Sequence, residues 1–337
     1  MIIGVIIIVL VIAGVLAVNL QDSSLSSLTS GTTSSTGSQG YKITNIDIGN
    51  STSPLKLAYN PFAKVVYVAD MDSGKLFTIN TLNNTLNPNV TNTGAQETIG
   101  LTFDSSNLGI YLSSVFNHNV VFLNSTNLSN NATTIPVSGR PGDILFSPGS
   151  KLLYVTIGDG SALITIGSNN SIQGNPISAT CPTGLAYDSI NRAIYVSNSC
   201  SGSVFVVSEA TRQVIANISV GANPIGLAFD SKDETMFVAN ANSNSVSVIN
   251  CSSLKVSSTI PLGNQSLPVQ VAYDSSLGEV FVSDGGTNNV SVIQTSNFAL
   301  VASINLPGRP YGILYDPDNG GVYVANGHEV SVIVKSN

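Results

Sequence analysis

Short apolar runs separated by polar turns recur along this chain at a regular interval. Seven copies of one pattern follow each other, each with an apolar run, a polar turn and a second apolar run centred on an aromatic residue. Successive central aromatics are 41 to 44 residues apart. They are Tyr67, Tyr111, Tyr154, Tyr195, Phe237, Phe281 and Tyr323. Alternating apolar and polar residues after the second run predict a third and a fourth strand in each copy.

Four strands in about 42 residues, repeated seven times, predict an all-β fold, the seven-bladed β-propeller. The seventh copy stops after its third strand, "EVSVIVKSN". Its missing fourth strand is found near the start of the chain, where "TNIDIG" matches the fourth strands "ANISVG" and "ASINLPG". Residues 41–49 are therefore predicted to complete the last blade and close the ring, which leaves no open sheet edge at the seam.

The chain divides into three regions of different composition, and the third contains the repeat. Residues 1–20 are predicted to be one hydrophobic α-helix, and residues 21–40 a flexible linker rich in Ser and Thr. Residues 41–337 form the predicted propeller. Hydroxyl-rich linkers are common targets of O-linked glycosylation.

The repeat text itself points to a known group of proteins. The motifs "YVAN", "YVSN" and "FVAN" recur in second strands, and Pro-x-Gly precedes the first strand at residues 182–184, 224–226 and 310–312. This pattern resembles the YVTN family of β-propellers, which are found in archaeal surface-layer and other extracellular proteins. The resemblance implies an extracellular, surface-associated protein.

The apolar start of the chain decides between several functions. Its first eighteen residues carry no charge, and as a helix they would span about 27 Å, close to the thickness of a bilayer core. No basic residue precedes this run and no Ala-x-Ala cleavage site follows it, which disfavours a secretory signal. The stretch resembles the start of a mature archaeal type IV pilin. Gly4, Ala13, Gly14 and Ala17 are small residues that would permit close helix packing.

The sequence thus predicts a structural subunit of an extracellular filament. The apolar helix would lie in the membrane before assembly and then self-associate through residues 1–20, with the glycosylated propeller displayed outside as an adhesive surface. The alternative is a propeller binding protein held at the surface by a single-pass anchor or associated with a surface layer. A secreted binder or enzyme is the third possibility.

Cysteines and glycosylation sequons fit an extracellular location. Cys181 and Cys200 lie in connections that emerge on the same face of one blade, which predicts a disulfide between them. Cys251 would remain single. The candidate N-glycosylation sites are Asn50, Asn83, Asn89, Asn124, Asn127, Asn131, Asn169, Asn217, Asn250, Asn264 and Asn289.

Composition and motifs argue against several other functions. The net charge is −7, so no nucleic-acid partner is expected. His118 and His328 stand alone, and the aspartates that follow the first strands recur with the turn they form. No metal, cofactor or catalytic residue is therefore predicted. An enzyme would need a unique polar cluster in the channel, and because none is recognisable in the repeat, the sequence predicts that the protein is not an enzyme.

Overall fold

The computed structural model describes residues 33–36, 40–128, 132–159 and 161–336 of the chain. In these residues, thirty strands form seven antiparallel sheets, each one blade of a closed ring. This confirms the predicted seven-bladed all-β propeller. The predicted helix at 1–20 lies outside the described residues. Within them, no helix is long and apolar enough to cross a membrane.

Each blade is a small meander whose strands run outward from the centre of the ring. From the innermost strand outward, blade 1 consists of β3 Pro54–Asn60, β4 Val65–Asp70, β5 Lys75–Asn80 and β6 Thr85–Leu86, with β7 Thr91–Asn92 also paired to β5, and blade 2 of β8 Leu101–Asp104, β9 Gly109–Ser114, β10 Asn119–Asn124 and β11 Thr133–Pro136. Blade 3 consists of β12 Pro141–Ser147, β13 Leu152–Ile157, β14 Ala162–Ile166 and β15 Ile177–Ser178, and blade 4 of β16 Pro182–Asp188, β17 Ala193–Asn198, β18 Ser203–Ser208 and β19 Val214–Ser219. Blade 5 consists of β20 Pro224–Asp230, β21 Thr235–Asn240, β22 Ser245–Asn250 and β23 Lys255–Pro261, and blade 6 of β24 Pro268–Asp274, β25 Glu279–Asp284, β26 Asn289–Gln294 and β27 Ala299–Asn305. Blade 7 consists of β28 Pro310–Asp316, β29 Gly321–Asn326, β30 Glu329–Lys335, β2 Tyr41–Asp47 and β1 Thr33–Thr36. A short 3₁₀ helix, Ala241–Ser243, joins β21 to β22.

The core lies between neighbouring blades. Second strands such as β17 and β21 are buried along their whole length because both faces of a blade pack against other blades. The seven central aromatics of these strands are at most 1% exposed. Among the described residues, each of the seven interfaces between adjacent blades holds one cluster of buried apolar side chains. The repeat therefore stabilises the ring interface by interface.

The ends of the propeller meet in blade 7. Strand β2 pairs with β30 over seven residues, from Tyr41 opposite Lys335 to Asp47 opposite Glu329. The buried carboxylate of Glu279, in blade 6, accepts a hydrogen bond of 2.8 Å from the Tyr41 hydroxyl and forms an ion pair with Lys335. The ammonium of Lys335 also lies 5.7 Å from the centre of the Tyr41 ring. One carboxylate thus joins the closing strand, the last strand and blade 6.

Strand β1 is an additional edge strand on blade 7. It pairs with β2 in antiparallel register and lies inside the segment 21–40 that the sequence predicts to be a linker. Four linker residues therefore extend the sheet. The physical reason is that β2 is otherwise an open edge, and the β-branched threonines of this segment favour extended backbone.

Candidate functional site at the mouth of the central channel

The two faces of the ring differ in the connections they carry. Each innermost strand begins after the connection from the previous blade, and the connection between the second and third strands of each blade emerges on the same side. We call this side the upper face. Most innermost strands start at a proline and show a β-bulge within the next three residues, as between Pro182 and Leu185. The upper ends of the innermost strands surround the mouth of the channel.

Glycine occupies the third position of the innermost strand, or its equivalent in blade 2, in four blades, at Gly100, Gly184, Gly226 and Gly312. Its role is to let the next blade approach closely. A Cβ atom at Gly226 would lie 2.6 Å from the Cα of Gln270, and one at Gly100 would lie 3.1 Å from the Cα of Asp143. Real side chains do not tolerate the shorter contact, so glycine is required where neighbouring innermost strands are this close.

The remaining three blades place polar side chains at this position: Lys56 in blade 1, Asp143 in blade 3 and Gln270 in blade 6. The Lys56 ammonium lies 2.9 Å from Oδ1 of Asp143, and the two side chains are only 16% and 13% exposed. Lys56 belongs to blade 1 and Asp143 to blade 3, so their ion pair spans the innermost strand of blade 2 on the channel side. Oδ2 of Asp143 accepts a longer hydrogen bond from the backbone of Leu185, in blade 4.

A set of hydroxyl groups holds the bulged strands at the mouth. The Ser197 hydroxyl accepts a hydrogen bond from the backbone of Gly184 and donates one of 2.7 Å to the carbonyl of Ile225, in the next blade. Ser283 makes the same bridge from Gln270 to Tyr311, also with a 2.7 Å bond. Thr156 and Ser113 lie at the same position in blades 3 and 2 and accept from their own innermost strands. The hydroxyls therefore fix the backbone that carries the polar mouth residues.

Arg309 and Tyr311 complete the polar part of the mouth on the blade 7 side. The Arg309 guanidinium lies 5.8 Å from the centre of the Tyr311 ring. Burial lowers the pKa of Arg309, and burial raises the pKa of the Tyr311 hydroxyl. Among the described residues, no carboxylate forms an ion pair with Arg309, and its buried Nε has no hydrogen-bond partner.

The structure joins Cys181 and Cys200 by a disulfide, with their Cα atoms 5.7 Å apart. The bond lies on the upper face of blade 4 and links the start of β16 to the connection after β17. Cys251 is a buried free thiol. Burial raises the pKa of this thiol to about 12, so the uncharged thiol predominates at neutral pH.

Most of the candidate glycosylation sites are accessible. Eight of the ten that the structure describes are exposed, Asn250 and Asn289 are partly buried, and Asn131 lies outside the described residues. In three sequons the amide oxygen accepts a hydrogen bond from the hydroxyl two residues later, as in Asn124 with Thr126 at 2.7 Å. Asn89 and Asn127 line one groove of about 900 Å³ at the outer part of blades 1 and 2.

The other residues singled out by sequence either contact the backbone of turns and connections or lie outside the described residues. Aspartates that follow the innermost strands accept hydrogen bonds from backbone N–H groups of their own turns, as Asp188 does from Ile190 and Asn191. The His328 ring nitrogen lies 2.5 Å from the carbonyl oxygen of Thr52. Gly4, Ala13, Gly14 and Ala17 lie outside the described residues. In the part of the chain that is described, no three His, Cys, Asp or Glu side chains form a metal-binding group.

The Lys56–Asp143 ion pair, with Gln270 at the equivalent position in blade 6, corrects the expectation that the channel has no unique polar cluster. Each stands where other blades carry glycine, so aligning the seven copies and reading the residue after Pro-x would have found all three. The contact of Lys56 with Asp143 could not be read from any single copy, because they come from blades 1 and 3. The signal was the break in the repeat rather than a local motif.

No family model and no curated protein matches the chain. Solved structures do match it, and they are propellers. Virginiamycin B lyase from Staphylococcus aureus is 13% identical, covers 87% of this chain and 99% of its own, and has a TM-score of 0.74. Hydrazine synthase from Kuenenia stuttgartiensis is 14% identical, with 86% and 97% covered and a TM-score of 0.75. The β-propeller domain of Cps50 (Swd1) from Myceliophteria thermophila is 8% identical, with 86% and 99% covered and a TM-score of 0.71.

These likenesses show the fold, and they correct one prediction. Two of the three neighbours are named as enzymes, so a propeller repeat does not exclude an enzyme. The prediction that this chain is not an enzyme, which was drawn from its repeat, is therefore wrong. Functional groups in a propeller can come from different blades, so the lack of a local catalytic motif excludes nothing. At 13–14% identity the neighbours assign this chain no activity. They lend the filament prediction no support, and membership of the YVTN family stays a prediction.

Proposed function

We propose that this protein is displayed outside the cell and binds a small polar ligand at the mouth of its central channel. The observation that carries the binding role is the break in the repeat at Lys56, Asp143 and Gln270. Four blades show that glycine suffices for the ring at this position. Placing a charged pair in a nearly buried site costs desolvation energy, and a purely structural repeat has no need of it.

Display outside the cell is supported by different features. A disulfide on the upper face suits an oxidising environment, and eight sequons are exposed where glycans would be tolerated. The apolar residues 1–18 would attach the propeller to a membrane or a filament. Mouth and attachment segment are separate parts of the chain, so ligand binding and display can be tested independently.

The binding role predicts a ligand whose effect depends on the three mouth residues. The full chain, purified in detergent, is screened by thermal unfolding against a panel of sugars, amino acids, polyols and organic acids. At least one class is expected to raise the midpoint of unfolding. Restoring the glycine of the repeat, by Lys56→Gly, Asp143→Gly and Gln270→Gly together, should abolish this rise because the polar groups are gone.

Gln270→Gly alone is the second variant, since it leaves the Lys56–Asp143 ion pair in place and carries little risk to folding. It should weaken the response without abolishing it. If no class stabilises the native chain, or if the glycine variants respond as strongly as the native chain does, the mouth is not a binding site.

A filament subunit is the second candidate, and the uncharged apolar start of the chain favours it. Burying its Ile and Val side chains against identical helices would contribute roughly 1.5–3 kcal/mol for each fully buried side chain. Shearing producing cells should then release regular filaments in which mass spectrometry finds this chain with residues 1–20 intact. If the chain instead stays with the membrane, the single-pass anchor replaces the filament, and the binding role is unaffected.

A further inference from the structure

We infer that the ligand of the channel mouth is an oxyanion, such as a small carboxylate or phosphate, bound by Arg309. This inference rests on the proposed binding function and specifies its chemistry. It begins from the position of Arg309, directly before the first residue of β28, the innermost strand of blade 7. The side chain therefore starts at the rim of the mouth.

Among the residues that the structure describes, Arg309 has no ion-pair partner. A guanidinium carries five N–H donors and a permanent charge, so even the partial burial of Arg309 without a partner is unfavourable. Burial lowers the pKa of Arg309, and no carboxylate contributes to that shift. Its Nε is buried without a hydrogen-bond partner. An anion arriving from solvent would neutralise the charge of this partly exposed guanidinium.

Neighbouring groups hold the Arg309 side chain in place. A Cβ atom at Gly285, in blade 6, would lie 3.6 Å from Nε of Arg309 and 2.9 Å from a methyl group of Val269. The absence of a side chain at Gly285 thus lets the guanidinium lie against this connection. On the other side, the Tyr311 ring contacts it as a cation–π partner.

The adjoining mouth residues are donors. The backbone of Gln270, in blade 6, is tied through Ser283 to Tyr311, and Lys56 follows in blade 1 beside Gly312. This arc from blade 6 to blade 1 carries an amide, a guanidinium, a phenol and an ammonium. The acid at the same level, Asp143, lies in blade 3 and is already paired with Lys56. Asp284, directly before Gly285 in blade 6, accepts a hydrogen bond from Ser291 and forms no ion pair with Arg309. An unpaired guanidinium favours an oxyanion over a cation, and the planar fork of arginine suits a carboxylate or a phosphate.

The chain offers a matched control in Arg140. It occupies the same position before Pro141 in blade 3, but its charge acts on a carboxylate, since the positive charge of Arg140 lowers the pKa of Glu97 against the effect of burial. Arg140→Gln therefore removes one positive charge from the same rim without removing an unpaired guanidinium. Arg309→Gln removes the unpaired one.

The test measures binding of succinate and of inorganic phosphate to the full chain by calorimetry and thermal unfolding, with chloride at equal ionic strength as reference. Succinate, phosphate or both should bind the native chain and the Arg140→Gln variant. Arg309→Gln should weaken that binding about tenfold or more, because a charge-assisted hydrogen bond is lost. Arg309→Lys should recover part of it, since the charge returns without the fork.

Three results would overturn the inference. Neither anion binds the native chain; Arg309→Gln binds as tightly as the native chain; or Arg140→Gln loses as much affinity as Arg309→Gln, which would indicate a general effect of charge. If a neutral solute from the panel binds the native chain while both anions fail, the proposed binding function stands and only the oxyanion is rejected. If nothing binds, both fall.

Discussion

Glu279→Ala is expected to lower the free energy of unfolding of the propeller by about 1–3 kcal/mol, the cost of leaving a buried donor without its partner, because the Lys335 side chain is 45% exposed and stays solvated. Glu279 is 1% exposed, and its carboxylate joins Tyr41 of the closing strand to Lys335 of the last strand. Its loss leaves the Tyr41 hydroxyl without a partner and the Lys335 ammonium beside an empty site. Urea unfolding followed by circular dichroism measures the change.

A second measurement shows whether this loss concerns the closure of the ring. Trypsin should cleave the variant after Lys42 faster than the native chain, because β2 is held less firmly. Glu234→Asn is the control, since Glu234 is partly exposed and its carboxylate accepts a single hydrogen bond from the Ser252 side chain. Equal stability of the native chain and Glu279→Ala, or equal cleavage rates, would show that this contact does not secure the closing strand.

Asp284→Asn is expected to stabilise the protein above neutral pH. Asp284 is 2% exposed, and burial raises the pKa of its carboxyl group to about 7. Oδ2 accepts a 2.6 Å hydrogen bond from Ser291, whereas Oδ1 has no partner. Blades 5 and 7 have asparagine at the same position, at Asn240 and Asn326, each donating to a serine hydroxyl. The neutral amide therefore fits this site, whereas the carboxylate is buried there with its charge at high pH.

The direction of the pH effect follows from the raised pKa of Asp284. Between about pH 4 and pH 7 the unfolded chain has released this proton while the native state keeps it, so stability falls as the pH rises. Above about pH 7 the penalty is complete, at up to about 4 kcal/mol. Unfolding titrations at pH 4 and pH 8 should thus show little difference between native and Asp284→Asn proteins at the lower pH and a large one at the higher.

Asp70→Asn provides the opposite control. Asp70 occupies the equivalent position in blade 1, but its carboxylate accepts hydrogen bonds from the backbone N–H groups of Ser53, Asp72 and Ser73. An amide can accept fewer of these bonds and brings donors of its own, so this substitution should destabilise the protein at pH 8. A loss of stability in Asp284→Asn of similar size would mean that the charged carboxylate is favourable in its site.

Most of the fold could be predicted because the same strand pattern occurs seven times in the sequence. The central aromatics, such as Tyr195 and Phe237, mark buried second strands, and the match of residues 44–49 to other fourth strands predicted the closure through β2. Strand β1 could not be predicted from the composition of its segment. Its pairing depends on the edge of β2, and its residues, TSST, show no alternation of apolar and polar side chains that would mark a strand.

The mouth was harder to predict because its residues are far apart in sequence. Lys56 and Asp143 meet only because seven blades bring their innermost strands to one axis. The charge environment of Arg309 is equally invisible in sequence, since Arg140 has the same place before a proline and a carboxylate nearby. Repeats predict the scaffold well, and exceptions to them predict the site only once the scaffold is known.

The pairing of β2 with β30 also governs the order of events during synthesis. Strand β2 is synthesised before every strand of blades 1 to 6, and its partner β30 is synthesised after all of them. At the usual rate of about 5–20 residues per second, β2 waits on the order of 15–60 s for that partner. Throughout this interval the face of blade 1 that packs against blade 7 in the closed ring has no partner. Apolar side chains of this interface, such as Val66 and Val68, therefore lack their native cover on the growing chain until β30 has been made.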